Sequence, residues 1–504
     1  MKQLTMTVLA LFLVATMNAQ VENDWLNKMK QEQENTLKSF EQFKEQAYQE
    51  YENFRKKANE DYAKFMEEAW KSLELQPAET APEKPKPPQP DIVDAPTAAP
   101  DLTRPVVEPI RVPDPVQPSL SVPEIHPNTE RPQPVEPITI TNPLPVAVTR
   151  TVDLYGSKLP FHYETPSAPQ LKDNGEKSVA AMWKVLSAED YDYIISECLQ
   201  KREERNLCDW AYIKLTQNVA ESHCGKGTDE AIVMQMYLLT QSGYQMRIAR
   251  CDGRLTILIG SYEKLYGRRY YTMEGVRFYV IDKSVNKKGM EIFDHAFPGE
   301  KPFSLELTQP KLTVAKTEER TLVSKRYPEV IVTIQTNKNL INFYNDYPLN
   351  DRWENYSKAS ISSVLKESLY PALRKAIEGK NELEAANILL NFVQTGFEYK
   401  TDDKQFGYER PLFPDETFYY PYCDCEDRSI LFSCLVRELL GLEVVLLDYP
   451  EHIATAVCFK QPVEGDYLVA DGKNFIISDP TYIGAQVGMC APKYKTVSPK
   501  LVKF

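Results

Sequence analysis

Tyr422-Cys423-Asp424-Cys425-Glu426-Asp427-Arg428 runs into Ser429-Ile430-Leu431-Phe432 and on to Leu440-Gly441-Leu442. Ile430, Leu431, Cys434, Leu435 and Leu439 recur at helical spacing, so a helix starts at or just after Cys425. Gly441 suits the left-handed position that stops such a helix. Two strands are expected next, Leu442–Leu447 and Ile453–Phe459, and a last strand, Phe475–Ser478, runs into Asp479-Pro480. The same order occurs earlier. Gly227-Thr228-Asp229-Glu230-Ala231-Ile232-Val233-Met234 leads to Ser242-Gly243-Tyr244, then to strands Tyr244–Ala249 and Leu255–Ile259, and Phe278-Tyr279-Val280-Ile281 ends in Asp282. Helical pairs precede both stretches, near 187–222 and 360–397. The expected fold class is therefore α+β: two helix-plus-antiparallel-sheet units, an internal duplication.

The second unit gathers chemistry that the first lacks. At a helix N-terminus, free N–H groups and the helix dipole favour a thiolate on Cys425. Asp424, Glu426 and Asp427 oppose this, so an imidazolium partner is needed to restore the balance. His452 is the only histidine of the unit and opens a strand. Alternation puts it on one face with Ala454 and Ala456, small residues expected to leave room for the end of the neighbouring helix. Asp479, closing the next apolar strand before Pro480, can accept from the imidazole and fix its tautomer. Helix-to-helix alignment puts Gly227 at the place of Cys425 and Arg254 at that of His452. Asp282 falls within one residue of the place of Asp479. Glycine offers no nucleophile and arginine no base, so the first unit reads as catalytically dead, with an Arg254–Asp282 ion pair expected instead. Cys224 beside His223 is the one thiol that could rescue it.

The set Asp424-Cys425-Glu426-Asp427 through Gly441, Pro450-Glu451-His452-Ile453-Ala454, and Asp479-Pro480-Thr481-Tyr482 resembles the transglutaminase-like superfamily, a relative of papain-like thiol proteases. The likeness spans about residues 380–490. It implies Cys425 as nucleophile, His452 as base and Asp479 as orienter. Bacterial transglutaminase-like cysteine proteinases carry a similar Asp-Cys-Glu-Asp, and some hold calcium beside the cysteine. The resemblance thus offers Asp424, Glu426 and Asp427 as calcium candidates, against the plainer reading that they complement the helix dipole. No other cofactor is expected. Cys423 stands open as a rival nucleophile or redox partner. The oxyanion donors are also open: the Cys425 N–H, with Tyr419, Tyr420, Tyr422 or Gln405.

The first 150 residues read differently. Residues 1–19, with Lys2, an apolar run Leu4–Thr16 and a small residue at Ala19, read as a signal peptide. Export to a periplasm or beyond the cell follows, with no membrane-spanning segment after cleavage. Residues 22–75 favour helix and repeat every eleven residues: Phe40, Tyr51, Tyr62; Phe43, Phe54, Phe65; Ala47, Ala58, Ala69. Eleven residues close three turns at about 3.67 per turn. The aromatic stripe so formed either drives self-association or packs on the chain's own globular part. Residues 77–147 hold more than half of the 37 prolines and read as an extended spacer. The remaining divisions are 148–299 for the degenerate unit, 300–345 for a β-rich connector and 346–504 for the catalytic unit.

Composition narrows the function. With 59 Lys+Arg against 72 Asp+Glu, the chain lacks the positive charge that nucleic-acid binding needs. No zinc spacing or phosphate-binding glycine loop is present. Two expectations remain: a thiol enzyme cleaving or transferring a peptide or amide acyl group on a protein or peptide substrate, and a non-catalytic envelope scaffold using the same fold as a binding platform. Nine cysteines, an odd number, are compatible with a free reactive thiol.

Overall fold

The computed structural model describes residues 2–82, 86, 88–93, 131–134, 149–162, 168–188, 191–285 and 287–504; side chains of the N-terminal helix are described from Met29 on, with gaps at 30, 32 and 34. Helix α1 (Lys2–Met66) is a single 65-residue rod that runs unbroken through the stretch read as a signal peptide. It ends at Met66 rather than near residue 75, where the Trp70 indole donates to the Met66 carbonyl at 3.2 Å. The following Lys71–Glu74 is strand β1. Of the two outcomes expected for the aromatic stripe, packing on the chain's own globular part is seen at the C-terminal end of the rod. Phe40, Phe43, Tyr51 and Phe54 are exposed, whereas Tyr62 is buried. Tyr62 packs among Trp183, Phe293 and Phe297 with ring centroids 4.9–5.2 Å apart. The Arg55 fork on Asp192 pins the same end of the rod.

The first unit opens with a hairpin, β2 (Thr149–Leu154) and β3 (Ser157–His162). Four helices follow: α2 (Glu176–Leu186), α3 (Asp192–Glu204), α4 (Asp209–Cys224) and α5 (Asp229–Gln241). Then come β4 (Met246–Cys251), β5 (Arg254–Ser261), β6 (Tyr270–Met273), β7 (Val276–Val280) and β8 (Gly289–Phe293). They form an antiparallel sheet in the order β1-β8-β4-β5-β7-β6, so the strand after the long helix completes this unit's edge. Alternation divides the sheet. Met246, Ile248 and Ile257 join the helices in one core, and Ala249, Leu258, Phe278 and Ile292 form a second cluster.

The stretch expected to be a β-rich connector is only partly so. It contributes one hairpin, β9 (Arg320–Val323) and β10 (Ile331–Ile334), and α6 (Lys338–Asp346) starts inside it. Leu322, Val332 and Ile334 share a core with the helices of the second unit, so apolar burial draws the hairpin into that unit. Then follow α7 (Trp353–Lys358), α8 (Ser363–Ile377), α9 (Glu382–Gly396), β11 (Glu398–Tyr399), α10 (Asp402–Gln405), α11 (Pro414–Tyr419), β12 (Tyr422–Cys423) and α12 (Cys425–Leu440). Helix α12 stops at Gly441 with φ 64°, the left-handed end expected. The sheet is completed by β13 (Glu443–Tyr449), β14 (His452–Cys458), β15 (Tyr467–Ala470), β16 (Lys473–Ser478) and β17 (Lys500–Val502), in the order β15-β16-β14-β13-β17. Read from the other edge, β17-β13-β14-β16-β15 matches β8-β4-β5-β7-β6 of the first sheet strand for strand, all antiparallel. The architecture is mixed helix and sheet.

The described parts of the proline-rich segment do not lead away from this body. Gln76 pairs with Tyr270, and the Gly267 N–H donates to Glu79. Arg202, buried, donates to Pro132 and Gln133. Gly243, at φ 90°, carries the Gln133 carbonyl where a Cβ would stand, so this glycine serves both helix termination and close approach. The rest of the expected spacer lies outside the described residues. No helix among the described residues is long and apolar enough to cross a membrane.

Candidate active site

Cys425 is the first residue of α12, and the helix start is tied down by Asp427. One Asp427 oxygen accepts the Asp424 N–H at 3.2 Å and the other accepts the Leu412 N–H at 2.7 Å. These bonds satisfy N–H groups that a buried helix start would otherwise orphan. They also remove Asp427 from the group of carboxylates that face the thiol. Ser429, one turn on, donates to the Ile453 carbonyl at 2.9 Å and fastens the helix to the start of β14. Cys425 and Ile453 share one buried cluster, which brings the thiol to the residue next to His452.

His452 Nε2 lies 2.8 Å from Asp479 Oδ2. An ionised carboxylate only accepts, so Nε2 carries the proton and Nδ1 keeps the lone pair that a base needs. Asp479 is itself held: its other oxygen accepts the N–H groups of Thr481 at 2.8 Å and Tyr482 at 3.2 Å. Tyr494 stacks on the imidazole at 4.9 Å with rings 8° from parallel. His452 and Asp479 thus lie at the ends of neighbouring strands β14 and β16, with ring position fixed by stacking and by hydrogen bonding.

The expected role of Ala454 and Ala456 needs correction. Ile453 joins the cluster containing Cys425 and Ile430, and Val457 the one containing Leu431 and Leu435. Ala454 and Ala456 lie in a third cluster with Tyr449, Phe475 and Tyr494. Helix α12 therefore meets the opposite face of β14, and the two alanines make room for the tyrosines beside His452.

Beside the thiol is an acidic pocket with a lysine in it. Lys86, from the proline-rich segment, places its ammonium 2.9 Å from Glu409, 3.0 Å from Asp424 and 3.6 Å from Asp402, and on Glu426. Its side chain is 3% exposed. The oxygens of Asp402, Glu409 and Glu426 cluster within 4.8 Å, as do those of Asp402, Asp424 and Asp427. Of the three calcium candidates, Asp424 and Glu426 face the pocket, and its counter-charge is the Lys86 ammonium. Burial pushes Asp424 well above the usual carboxylate range, reinforced by Glu426. Burial is the largest influence on Glu426 and opposes its ionisation, but the Lys86 charge together with hydrogen bonds from Asp424, Lys86 and its own backbone N–H holds Glu426 at about 2. The Cys425 thiol donates to this carboxylate at 3.2 Å. Burial, with Glu426 second, pushes the thiol well above its ordinary value, so it holds its proton at neutral pH.

No family model, curated protein or solved structure matches the chain. The functional reading therefore rests on this geometry and on the motifs in the sequence.

The open alternatives narrow. All nine cysteines are unpaired thiols, so Cys423 and Cys425 form no disulfide. Cys423 accepts from Arg428 at 3.5 Å and is pushed by burial to about 12. Of the oxyanion candidates, Tyr419 is engaged by Lys338 and Tyr420 by Asn345. Tyr422 faces the Lys400 ammonium at 4.7 Å. Gln405 differs, because both of its side-chain amide atoms are buried without a partner. It ends α10, whose first N–H donates to Asp424 at 3.3 Å, directly beside Cys425.

In the first unit Arg254 reaches the Gly227 carbonyl and pairs with Asp229 at 3.3 Å. The expected partner was Asp282, whose carboxylate instead accepts the Ser284 N–H at 2.8 Å. Asp229, at the start of α5, is nearer and complements that helix end. Cys224 donates to the Met234 sulfur at 3.6 Å and is pushed by burial to about 12. His223 has both ring nitrogens buried without a partner and is lowered by burial to about 4. The two do not form an activated pair. Sequence reasoning missed Lys86, Asp402, Glu409 and Tyr494. A lysine in a low-complexity stretch carries no local signal of where it docks, and Asp402 and Glu409 come from the short helix α10 and the loop after it, neither with a motif.

Proposed function

We propose that the second unit is a transglutaminase-like thiol acyl-transfer site, with Cys425 as nucleophile, His452 as base and Asp479 as positioning residue. The observation that carries this reading is the 2.8 Å His452–Asp479 hydrogen bond, set at the strand end against which the start of α12 packs through Ile453. In the reaction, His452 Nδ1 takes the thiol proton and the sulfur attacks the acyl carbon. The imidazolium then returns a proton to the leaving amine as the C–N bond breaks. Water, deprotonated by the same imidazole, hydrolyses the thioester. An amine in place of water gives transfer; abundance of water favours peptide or amide cleavage. The Cys425 N–H and the uncommitted Gln405 amide are the oxyanion donors this reading uses.

The matched strand order of the two sheets supports an internal duplication whose first copy, with Gly227 and Arg254 in the key places, is catalytically inert. Export from the cell by residues 1–19, and self-association through the exposed part of α1, belong to the same proposal. The scaffold reading also has one observation in its favour: the Cys425 thiol donates to Glu426, and no hydrogen bond joins it to His452 among the described residues. Peptide or amide turnover by the full chain, compared with Cys425→Ala, separates the two. Turnover lost in the variant supports the enzyme, and turnover retained assigns the unit to a platform.

A further inference from the structure

The proline-rich segment crosses the candidate site. At one end Lys86 is sunk among Asp402, Glu409, Asp424 and Glu426 beside Cys425. At the other, Val93 N–H donates to Ile483 at 2.9 Å and Ile483 N–H donates to Asp91 at 2.8 Å. Ile483 is four residues past Asp479. Lys493 adds an ion pair to Asp91 at 2.9 Å. Pro88, Gln89, Asp91 and Ile92 are exposed, so burial of apolar surface does not hold this strap. A buried ammonium and a short stretch of strand-like pairing do. Below it, Cys425, His452 and Asp479 are 0%, 4% and 3% exposed.

We infer that the acidic pocket is a subsite for the lysine side chain of an extended peptide, and that Lys86 occupies it as an intramolecular ligand, with residues 88–93 as the strap beside the thiol. Three observations carry this. The pocket gathers four carboxylates around one primary ammonium, which is the geometry of a compact three-donor cation. Asp424 Oδ1 remains buried without a hydrogen-bond partner, so the pocket is not filled to its full accepting capacity. A few residues on, Asp91–Val93 pairs with Ile483 in the loop after Asp479, as a bound peptide strand would. Flanking prolines keep such a strand extended before it docks, which lowers its ordering cost. Glu426 links the two functions: it accepts from Lys86 and from the Cys425 thiol at once, so departure of the lysine changes the surroundings of the sulfur.

The pocket and its occupant stand on geometry alone; only the statement that the strap lies beside a reactive centre rests on the proposed function. The test uses the full chain. In Lys86→Ala, amide exchange at Val93 and Ile483 rises at least tenfold over wild type, and Lys86→Arg falls between the two. A fluorescent peptide of residues 80–95 binds Lys86→Ala in trans, and the same peptide with norleucine in place of its Lys86 binds at least tenfold more weakly. Glu426→Gln in the same background abolishes the difference between the two peptides. Retained peptide binding in Lys86→Ala/Cys425→Ala separates this site from the chemistry, so an inert thiol does not overturn it. Unchanged exchange at Val93 and Ile483 in Lys86→Ala overturns the strap. Equal binding of the lysine and norleucine peptides, or displacement of the strap by calcium chloride without any peptide binding, overturns the lysine subsite.

Discussion

Cys425 meets two opposed demands. Its place at the start of α12 favours the thiolate, but burial and Glu426 keep the proton on sulfur. The sign of the pH dependence follows. A thiol pushed above its ordinary value is unreactive at neutral pH and gains thiolate only as pH rises past the usual thiol range. Glu426→Gln removes the carboxylate that raises the thiol, so its alkylation profile shifts to lower pH; an unshifted profile would show that Glu426 is not the cause. Among variants of the triad, Cys425→Ala and His452→Ala are expected to lower turnover roughly 10⁵-fold or more, and Asp479→Ala about 10⁴-fold, because the orienter acts through the base. Gln405→Ala is expected to cost about 10²–10³-fold in kcat with little change in KM, as loss of an oxyanion donor does. A change confined to KM would make Gln405 a substrate contact.

At this scale the sequence was informative where spacing carried the message. The places of Cys425, His452 and Asp479 at element ends could be read because each borders a strongly periodic stretch. Asp427 could not be sorted from Asp424 and Glu426, since consecutive acids look alike until the helix start assigns one of them to capping. The alanines were misassigned because alternation gives the two faces of a strand but not which neighbour covers each.

Among the elements, α12 and α1 make separate claims. Helix α12 is anchored at its start by Asp427, whose loss leaves the N–H groups of Asp424 and Leu412 buried and unpaired. Asp427→Ala is expected to destabilise the second unit by about 1–3 kcal/mol per orphaned group, read as a lower Tm and a lower denaturation midpoint. A Tm equal to wild type would mean that the helix start is not held this way. Helix α1 docks by Arg55, Tyr62 and Met66 and leaves Phe40, Phe43, Tyr51 and Phe54 in water. Full burial of a large apolar side chain contributes roughly 1.5–3 kcal/mol, so four unburied aromatics on one rod favour pairing with a second copy. Sedimentation of the chain against the fourfold serine variant at these positions tests it: association in the parent and a monomer in the variant are expected, and identical monomers would end the idea. The eleven-residue period located the stripe but not where docking stops, because that boundary is set by Trp183, Phe293 and Phe297, more than a hundred residues downstream.

For the whole molecule, the repeated order of helix, two strands and strand-end aspartate was legible, and the two sheets share one strand sequence of neighbours. What the sequence could not supply was the path of the proline-rich segment. Low-complexity chain has no periodicity to match against a surface, and its contacts at Lys86, Asp91, Val93 and Gln133 are each single anchors in otherwise exposed backbone. The reading as an extended spacer therefore located the segment but not the points at which its described residues dock. The unequal fate of the two units is also a whole-molecule claim. The first has Arg254 on the Gly227 carbonyl and no activating base beside Cys224, so with the strap released by Lys86→Ala a thiol probe is expected to modify Cys425 ahead of Cys224.

The central claim is that His452 activates Cys425. Its most direct test is the rate at which a small neutral thiol electrophile modifies each of the nine cysteines, followed by mass spectrometry from pH 6 to pH 10. The comparison is between the full chain carrying Lys86→Ala, in which the strap is released, and the same chain with His452→Ala added. The account predicts that Cys425 is modified ahead of Cys423 and Cys224 as pH rises past the usual thiol range, and that its rate there falls at least tenfold without the imidazole. A rate independent of His452, or preferential modification of Cys423 or Cys224, would contradict it.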